Sequence, residues 1–341
     1  MNCINDILQE IQNFKEKHKG KNYEIVYRAF SNKNIKDISE EKPSLFLKNL
    51  TEKEKEIYNE FIATKPNEFL NMSTFDKLTK MRHYNIPNRL LDVTFDPLCA
   101  LYFAVGNTKH EGSMKIFIYV VDKNYIKNFD SDTVTVLSAL TKLNHKDKLL
   151  LKFIVEHFNK YEEIKNNALP LVLFKEIQEA IKQKYPKIHD TKDSNIVEIL
   201  NNKIEERLSE KTKESKKITP NELFNIFVSV YVHELNWQLK KEIPGWYENV
   251  LDISTFTHCY LVKANQNNPR IVAQSGAFFI YPFEDTDIGD SLLDNTICNF
   301  NIKEELKALN IKSSKYFCDD LNVYAEEITE KYIERGKKEN V

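Results

Sequence analysis

Apolar positions along the chain follow two different periods, and the switches between them mark its parts. The first 19 residues, MNCINDILQEIQNFKEKHK, set apolar residues among acids and lysines with helical spacing, and Gly20 ends the pattern. YEIVYRAF (23–30) then alternates and is rich in aromatic and β-branched residues, which predicts a strand. A charged helical stretch begins at Lys48 and runs past Glu60. Ser73 and Asp76 have capping-box spacing, predicting a helix from 74 to about His83 that Pro87 closes. Asp96-Pro97 restarts a helix, with Asp as N-cap and Pro in the first position. The LCALYFAV that follows is apolar on every side, so this helix is expected to be buried up to Gly106. MKIFIYVVD (114–122) predicts a second strand.

The pattern changes over 140–248. Lys, Glu, Asn and Leu dominate, and LLLKFIVEHF, ILNNKIEERL and LFNIFVSVYVHELNWQL carry helical periodicity. The stretch reads as a mostly helical insert. Strand character returns after Pro244-Gly245, in FTHCYLVKA (256–264) and RIVAQSGAFFIYP (270–282), and two helices follow. Strands so far apart, with helices between them, predict an α+β fold: a mixed or antiparallel sheet assembled from distant strands and surrounded by helices. The expected division is an N-terminal helix (1–22), a first core part (23–139), the insert (140–248) and a second core part with the last helices (249–341).

Length and composition narrow the function classes. The 341 residues, 41% hydrophobic, suffice for one large core or two ordinary ones. Lys+Arg 49 against Asp+Glu 51 leaves a net charge of -2, which disfavours a generic nucleic-acid coat and leaves room for a local basic groove. No apolar run approaches the ~20 residues that span a bilayer, and the first residues lack a signal-peptide core, so the expectation is a cytoplasmic protein with no membrane partner. Five scattered cysteines without a CxxC signal neither a disulfide framework nor a zinc site, and no metal is expected. Only seven glycines occur, and none can build GxGxxG or GxxxxGK[ST]. Trp237 stands where HExxH would need its second histidine after His233-Glu234, and GxSxG is absent.

Three segments carry candidate chemistry. Residues 81–94 bring Arg82, His83, Arg89 and Asp92 into what reads as a turn between two helices. An arginine beside a buried helix needs a counter-charge or an anion. One reading pairs Arg89 with Asp92 or Asp96 as an internal clamp; the other makes the arginine and histidine an anion pocket. In RIVAQSGAFF (270–279), Gln274 and Gly276 inside an apolar strand imply either a bulge with close ligand approach or a packed strand whose glutamine bonds backbone. Tyr27-Arg28 ends an apolar strand.

Together these segments resemble the FRG domain family. Its aromatic-Arg-Gly motif is matched by Tyr27-Arg28-Ala29. Its central QHxGxPTRLLDWTxxPxxALYFA is matched by RHYNIPNRLLDVTFDPLCALYFA, and its Arg-Ile-x-x-Gln-x-Gly-x-Phe by RIVAQSGAFF. Phe317-Cys-Asp-Asp-Leu321 looks like the family's F-P-D-L entry to a C-terminal helix. The likeness spans roughly 23–122 and 250–335. This chain departs at Ala29 and Asn85 (both Gly in the family), Asn88 (Thr), Val93 (Trp) and Cys318 (Pro); asparagine tolerates the left-handed backbone that a turn glycine supplies.

The resemblance implies a bacterial effector, in phage defence or a toxin system, and more loosely a likeness to ADP-ribosyltransferases with NAD as co-substrate. On that likeness Arg28, His83, Asp92 and Gln274 are the expected catalytic set, and Tyr27, Arg28, Arg89, Thr94 and Gly276 the cofactor-binding set, all around one pocket. Arginine suits the diphosphate, and Asp92 or His83 would orient a ribose hydroxyl or deprotonate the acceptor. Gln274 holds the position where a late Glu is usual, and Glu284 is a nearby alternative carboxylate. The implied acceptor is a nucleic acid or a protein, with an antitoxin or partner protein docking on the insert. Two other readings remain open: a nuclease or nucleic-acid binder using Arg28, Arg82, Arg89 and Arg270 with Tyr27, Tyr84 or Phe278 stacking bases, and a sensor module for a small anionic ligand.

Overall fold

The computed structural model describes residues 4–17, 19–20, 22–32, 42–105, 113–164, 232–246, 252–288, 291–298, 300–318 and 320–339. Seven strands form one mixed sheet: β1 (Tyr23–Asn32), β2 (Leu90–Thr94), β3 (Ser113–Asp122), β4 (Ile126–Asn128), β5 (Tyr260–Lys263), β6 (Gly276–Ile280) and β7 (Ser291–Cys298). Their order is β4-β5-β6-β2-β1-β3-β7, antiparallel apart from the β4–β5 pair. The α+β expectation holds.

The sheet has two well-paired parts. β1 and β3 form ten register pairs, from Tyr23↔Asp122 to Asn32↔Ser113. β2 and β6 pair along their whole length, from Leu90↔Ile280 to Thr94↔Gly276. Between them, β1 and β2 share one register pair, Tyr27↔Thr94. Because side chains alternate faces, this pair puts Tyr27 and Ala29 on the same face as Leu90, Asp92, Thr94 and Phe278. The opposite face buries Val26, Leu91, Val93, Phe117, Tyr119 and Phe279 under Leu45 and Phe46 of the short α2 (Ser44–Leu47).

Helices divide the first face. Over β2, β5 and β6 lies a cluster with α3 (Glu54–Thr64), α4 (Thr74–His83), α6 (Asp132–Ala139), α7 (His145–Ile164) and α8 (His233–Glu242). Over β1 and β3 lies a second, with α1 (Ile4–Lys17) and α5 (Pro97–Val105). α1 points Ile4, Ile7 and Ile11 into it, at three- and four-residue spacing. Among the described residues, α9 (Pro269–Ala273), α10 (Phe300–Ala308), α11 (Ser313–Tyr316) and α12 (Leu321–Glu339) follow. The capping predictions are met: the Asp76 N–H donates to Ser73 Oγ at 3.1 Å, and the Leu98 N–H to Asp96 Oδ1 at 2.9 Å.

Two expectations are corrected. Residues 90–94 are a strand, not part of a turn, because β6 supplies a complete ladder for them. Residues 270–282 are not one strand: Asn268 caps a short helix by accepting from the Arg270 N–H, Pro269 opens it, and Ser275 at φ 47° turns the chain into β6. Of the segment expected as an insert, 165–231 and 247–248 lie outside the described residues. Its described ends contribute Leu150, Leu151, Val155, Leu235 and Leu239 to the same core as Phe75, Leu78 and Leu90.

Candidate functional site

A cavity of about 310 Å³ lies where β1 and β2 meet at their single shared pair. Its walls come from five places. β1 supplies Tyr27, Arg28 and Ala29; β2 supplies Asp92, Val93 and Thr94. The end of α4 and its turn supply Thr79, Arg82, His83 and Asn85. α5 contributes Cys99, Ala100 and Phe103, while α9, its approach and β6 add Asn268, Arg270, Ile271, Gln274 and Phe278. Asn85 adopts φ 58°, the left-handed backbone in which asparagine replaces glycine at little cost.

Among the described residues that line it, the cavity has three guanidinium groups and one carboxylate. Arg82 grips Asp92 bidentately, with Nε at 3.0 and 3.3 Å from its two oxygens and a further bond from Nη2, while Nη1 donates to Ser44 Oγ at 2.9 Å. Asp92 nevertheless remains 41% exposed. Arg28 Nη1 donates to the Asp92 carbonyl at 2.7 Å, bridging β1 and β2, and its Nε is buried without a partner among the described residues. The Arg270 guanidinium stacks on Phe317, 4.1 Å from the ring centroid. Planar guanidinium donors lining a cavity suit an anion, phosphate above all, and Arg28 keeps a buried Nε without a partner among the described residues.

The far wall is fixed by backbone contacts. Thr94 Oγ1 donates to the Gln274 carbonyl at 2.7 Å and accepts from the Asp96 N–H at 2.9 Å. Gln274 Nε2 donates to the Tyr316 carbonyl at 3.1 Å, so its amide ties α9 to α11. Burial lifts the Tyr27 phenol to about 12. Burial, reinforced by Asp96, lifts the Cys99 thiol to about 12, so Cys99 is no thiolate nucleophile at neutral pH.

Of the residues singled out by sequence, Tyr27, Arg28, His83, Asp92, Thr94 and Gln274 come together here. Tyr84 and Glu284 do not line it, nor do two of the expected cofactor-binding residues, Arg89 and Gly276. Arg89 is 1% exposed and fully engaged elsewhere: Nε and Nη2 bond Glu54 at 2.8 and 2.5 Å, and Nη1 bonds the carbonyls of Tyr281 and Pro282. The clamp reading was right in kind, but the partner is Glu54, not Asp92 or Asp96. Gly276 sits in the regular β2–β6 ladder with no bulge; a Cβ there would touch Ile271 at 3.5 Å, ordinary contact. Phe103, Thr79 and Asn268 were not anticipated, although the Asn268-Pro269 pair is a helix-start signal that would have located α9.

Among the described residues, no group of three or more His, Cys, Asp or Glu is placed to hold a metal, and no helix is long and apolar enough to cross a membrane. Residues 12–113 match the family model described as FRG domain. No curated protein and no solved structure shows a significant match. The matched stretch contains β1, α4, β2 and α5, whereas the cavity's remaining wall, from Asn268 to Phe278, lies beyond it.

Proposed function

From a chain that carries an FRG domain at residues 12–113, we propose that the cavity binds NAD through its phosphates and that the protein transfers the ADP-ribose to a nucleic-acid or protein acceptor, as an effector in a defence or toxin system. One observation carries this reading: Arg28, Arg82 and Arg270, from three separate elements, line one cavity together with Asp92. At about 310 Å³ it sits at the small end of ligand pockets and suits one nucleotide half of the dinucleotide.

Arg28 and Arg270 grip the diphosphate, and Tyr27, Phe103 and Phe278 offer apolar surface to the ring. Asp92, oriented by Arg82, accepts from a ribose hydroxyl and faces the positive charge that grows at C1′ as the bond to nicotinamide breaks. The bonding electrons leave with nicotinamide. The acceptor's nucleophile forms the new bond to C1′ and loses its proton to His83. Gln274 acts as a positioning residue through its bond to the Tyr316 carbonyl.

A second reading, binding without turnover, is supported by the engagement of both Asp92 oxygens by Arg82. Incubation with labelled NAD, alone and with RNA, DNA or cell extract, separates the two. Nicotinamide release with label on an acceptor, lost in Arg28→Ala, is the expected result. Saturable NAD binding by calorimetry without release supports the second reading. Absence of both overturns the assignment of NAD.

A further inference from the structure

Asp92 stands where an anion would be held. Its carboxylate lies along the Arg82 guanidinium, with Nε at 3.0 and 3.3 Å from its oxygens and a further bond from Nη2. A guanidinium takes a phosphate with the same fork, so a phosphate ligand and the carboxylate compete for the same donors. The two partners are unequally held. Arg82 is 15% exposed and its Nη1 is pinned to Ser44 Oγ at 2.9 Å, whereas the Asp92 side chain is 41% exposed. Arg28 is fixed independently of that carboxylate, because its Nη1 donates to the Asp92 main-chain carbonyl at 2.7 Å. When the carboxylate gives way, both guanidinium groups therefore stay in position.

We infer that Asp92 is a specificity-determining residue of the cavity, a built-in anion that a multiply charged phosphate displaces from Arg82 and a singly charged anion does not. The inference rests on the reading of the cavity as an anion site and adds what that site refuses. A monocarboxylate arriving at Arg82 exchanges one carboxylate for another of equal charge, and the displaced Asp92 repels it. A diphosphate carries more charge and reaches two guanidinium groups, Arg82 and Arg28, the latter with a buried Nε that lacks a partner among the described residues. The ion pair it opens is partly exposed, and such pairs hold weakly. The Asp92 oxygen released from Nη2 then accepts from a hydroxyl of the same ligand.

Calorimetric titration of the full chain with inorganic pyrophosphate tests this. Asp92→Asn should tighten binding by about tenfold. In an Arg82→Ala background the same substitution should gain less than about threefold, because there the carboxylate repels the ligand but no longer competes for donors. Acetate, matched against chloride for ionic strength, should compete with pyrophosphate in Asp92→Asn and not in the native chain. The native chain also reports without any substitution: its Arg82 Nε signal in nitrogen NMR should move as pyrophosphate saturates. Equal gains in both backgrounds, no gain at all, acetate competition in the native chain, or an unmoved Arg82 signal would each overturn the competition and leave the anion site standing. No pyrophosphate binding by the native chain or by Asp92→Asn would overturn both.

Discussion

Two arginine–carboxylate pairs flank the entry to β2, and they have opposite fates. Arg89 and Glu54 are each 1% exposed, and Lys148 adds a second cation 2.5 Å from the same carboxylate. Arg82 and Asp92 are 15 and 41% exposed, at the rim of the cavity. In the first, four bonds from Arg89 and the walls around it use up the guanidinium. In the second, Arg28 beside the pair has, among the described residues, one carbonyl partner and a buried Nε that lacks one. Arginine in a motif is therefore no guide to role by itself; Arg28 differs from both paired arginines in keeping a donor without a partner among the described residues.

That contrast predicts effects of very different size. The largest is at the sealed pair. Glu54→Ala leaves Arg89 and Lys148 buried without their carboxylate, and a loss of about 3–5 kcal/mol is expected from denaturant unfolding. Arg28→Ala, by comparison, removes one hydrogen bond and should cost about 1 kcal/mol while abolishing ligand binding. Equal costs at the two positions would erase the distinction.

A smaller effect appears with acid. Burial alone would raise the Glu54 carboxyl, but Arg89 and Lys148 outweigh it and hold it at about 2, below its ordinary 4.5. Between those values the unfolded chain binds a proton that the folded one refuses, so this contribution is complete above about pH 4.5 and drains away as pH falls through about 2. Burial also pulls the Lys148 amine down, against the attraction of Glu54, so the lysine bears part of the cost of the triad. Unfolding curves between pH 5 and 2 should show that slope in the native chain and lack it in Glu54→Gln. The smallest effect is at the cavity's turn: Ser275→Gly relieves φ 47° and should gain about 0.5 kcal/mol, with ligand affinity little changed.

Local signals were legible in the sequence, and long-range ones were not. Ser73, Asp96 and the alternation of 23–30 act within a few residues of themselves, so helices and the first strand could be read directly. β2 has five residues and a partner far along the chain, and no local pattern announces that pairing. Arg-Ile-Val at 270–272 has strand-like composition, but the Asn268 cap and Pro269 override it. The site shows the same split. Arg28, His83, Asp92 and Gln274 were found through motif resemblance and do share a cavity. Arg89 belongs to the same motif, and only the fold reveals Glu54, 35 residues earlier, as its counter-charge.

The pairing of β2 with β6 has a consequence for the order in which the protein is made. Thr94 leaves the ribosome 180 residues ahead of Gln274, whose carbonyl it will bond. At roughly 5–20 residues per second that is an interval of about 10–40 s. Throughout it the nascent chain holds an unpaired strand edge at β2, and the wall from Asn268 to Phe278 does not yet exist. A harmful activity housed in this cavity would therefore stay silent during translation until almost the last strand had arrived. The stretch that the family model matches would then be half of an instrument, inert until its late-synthesised counterpart docks.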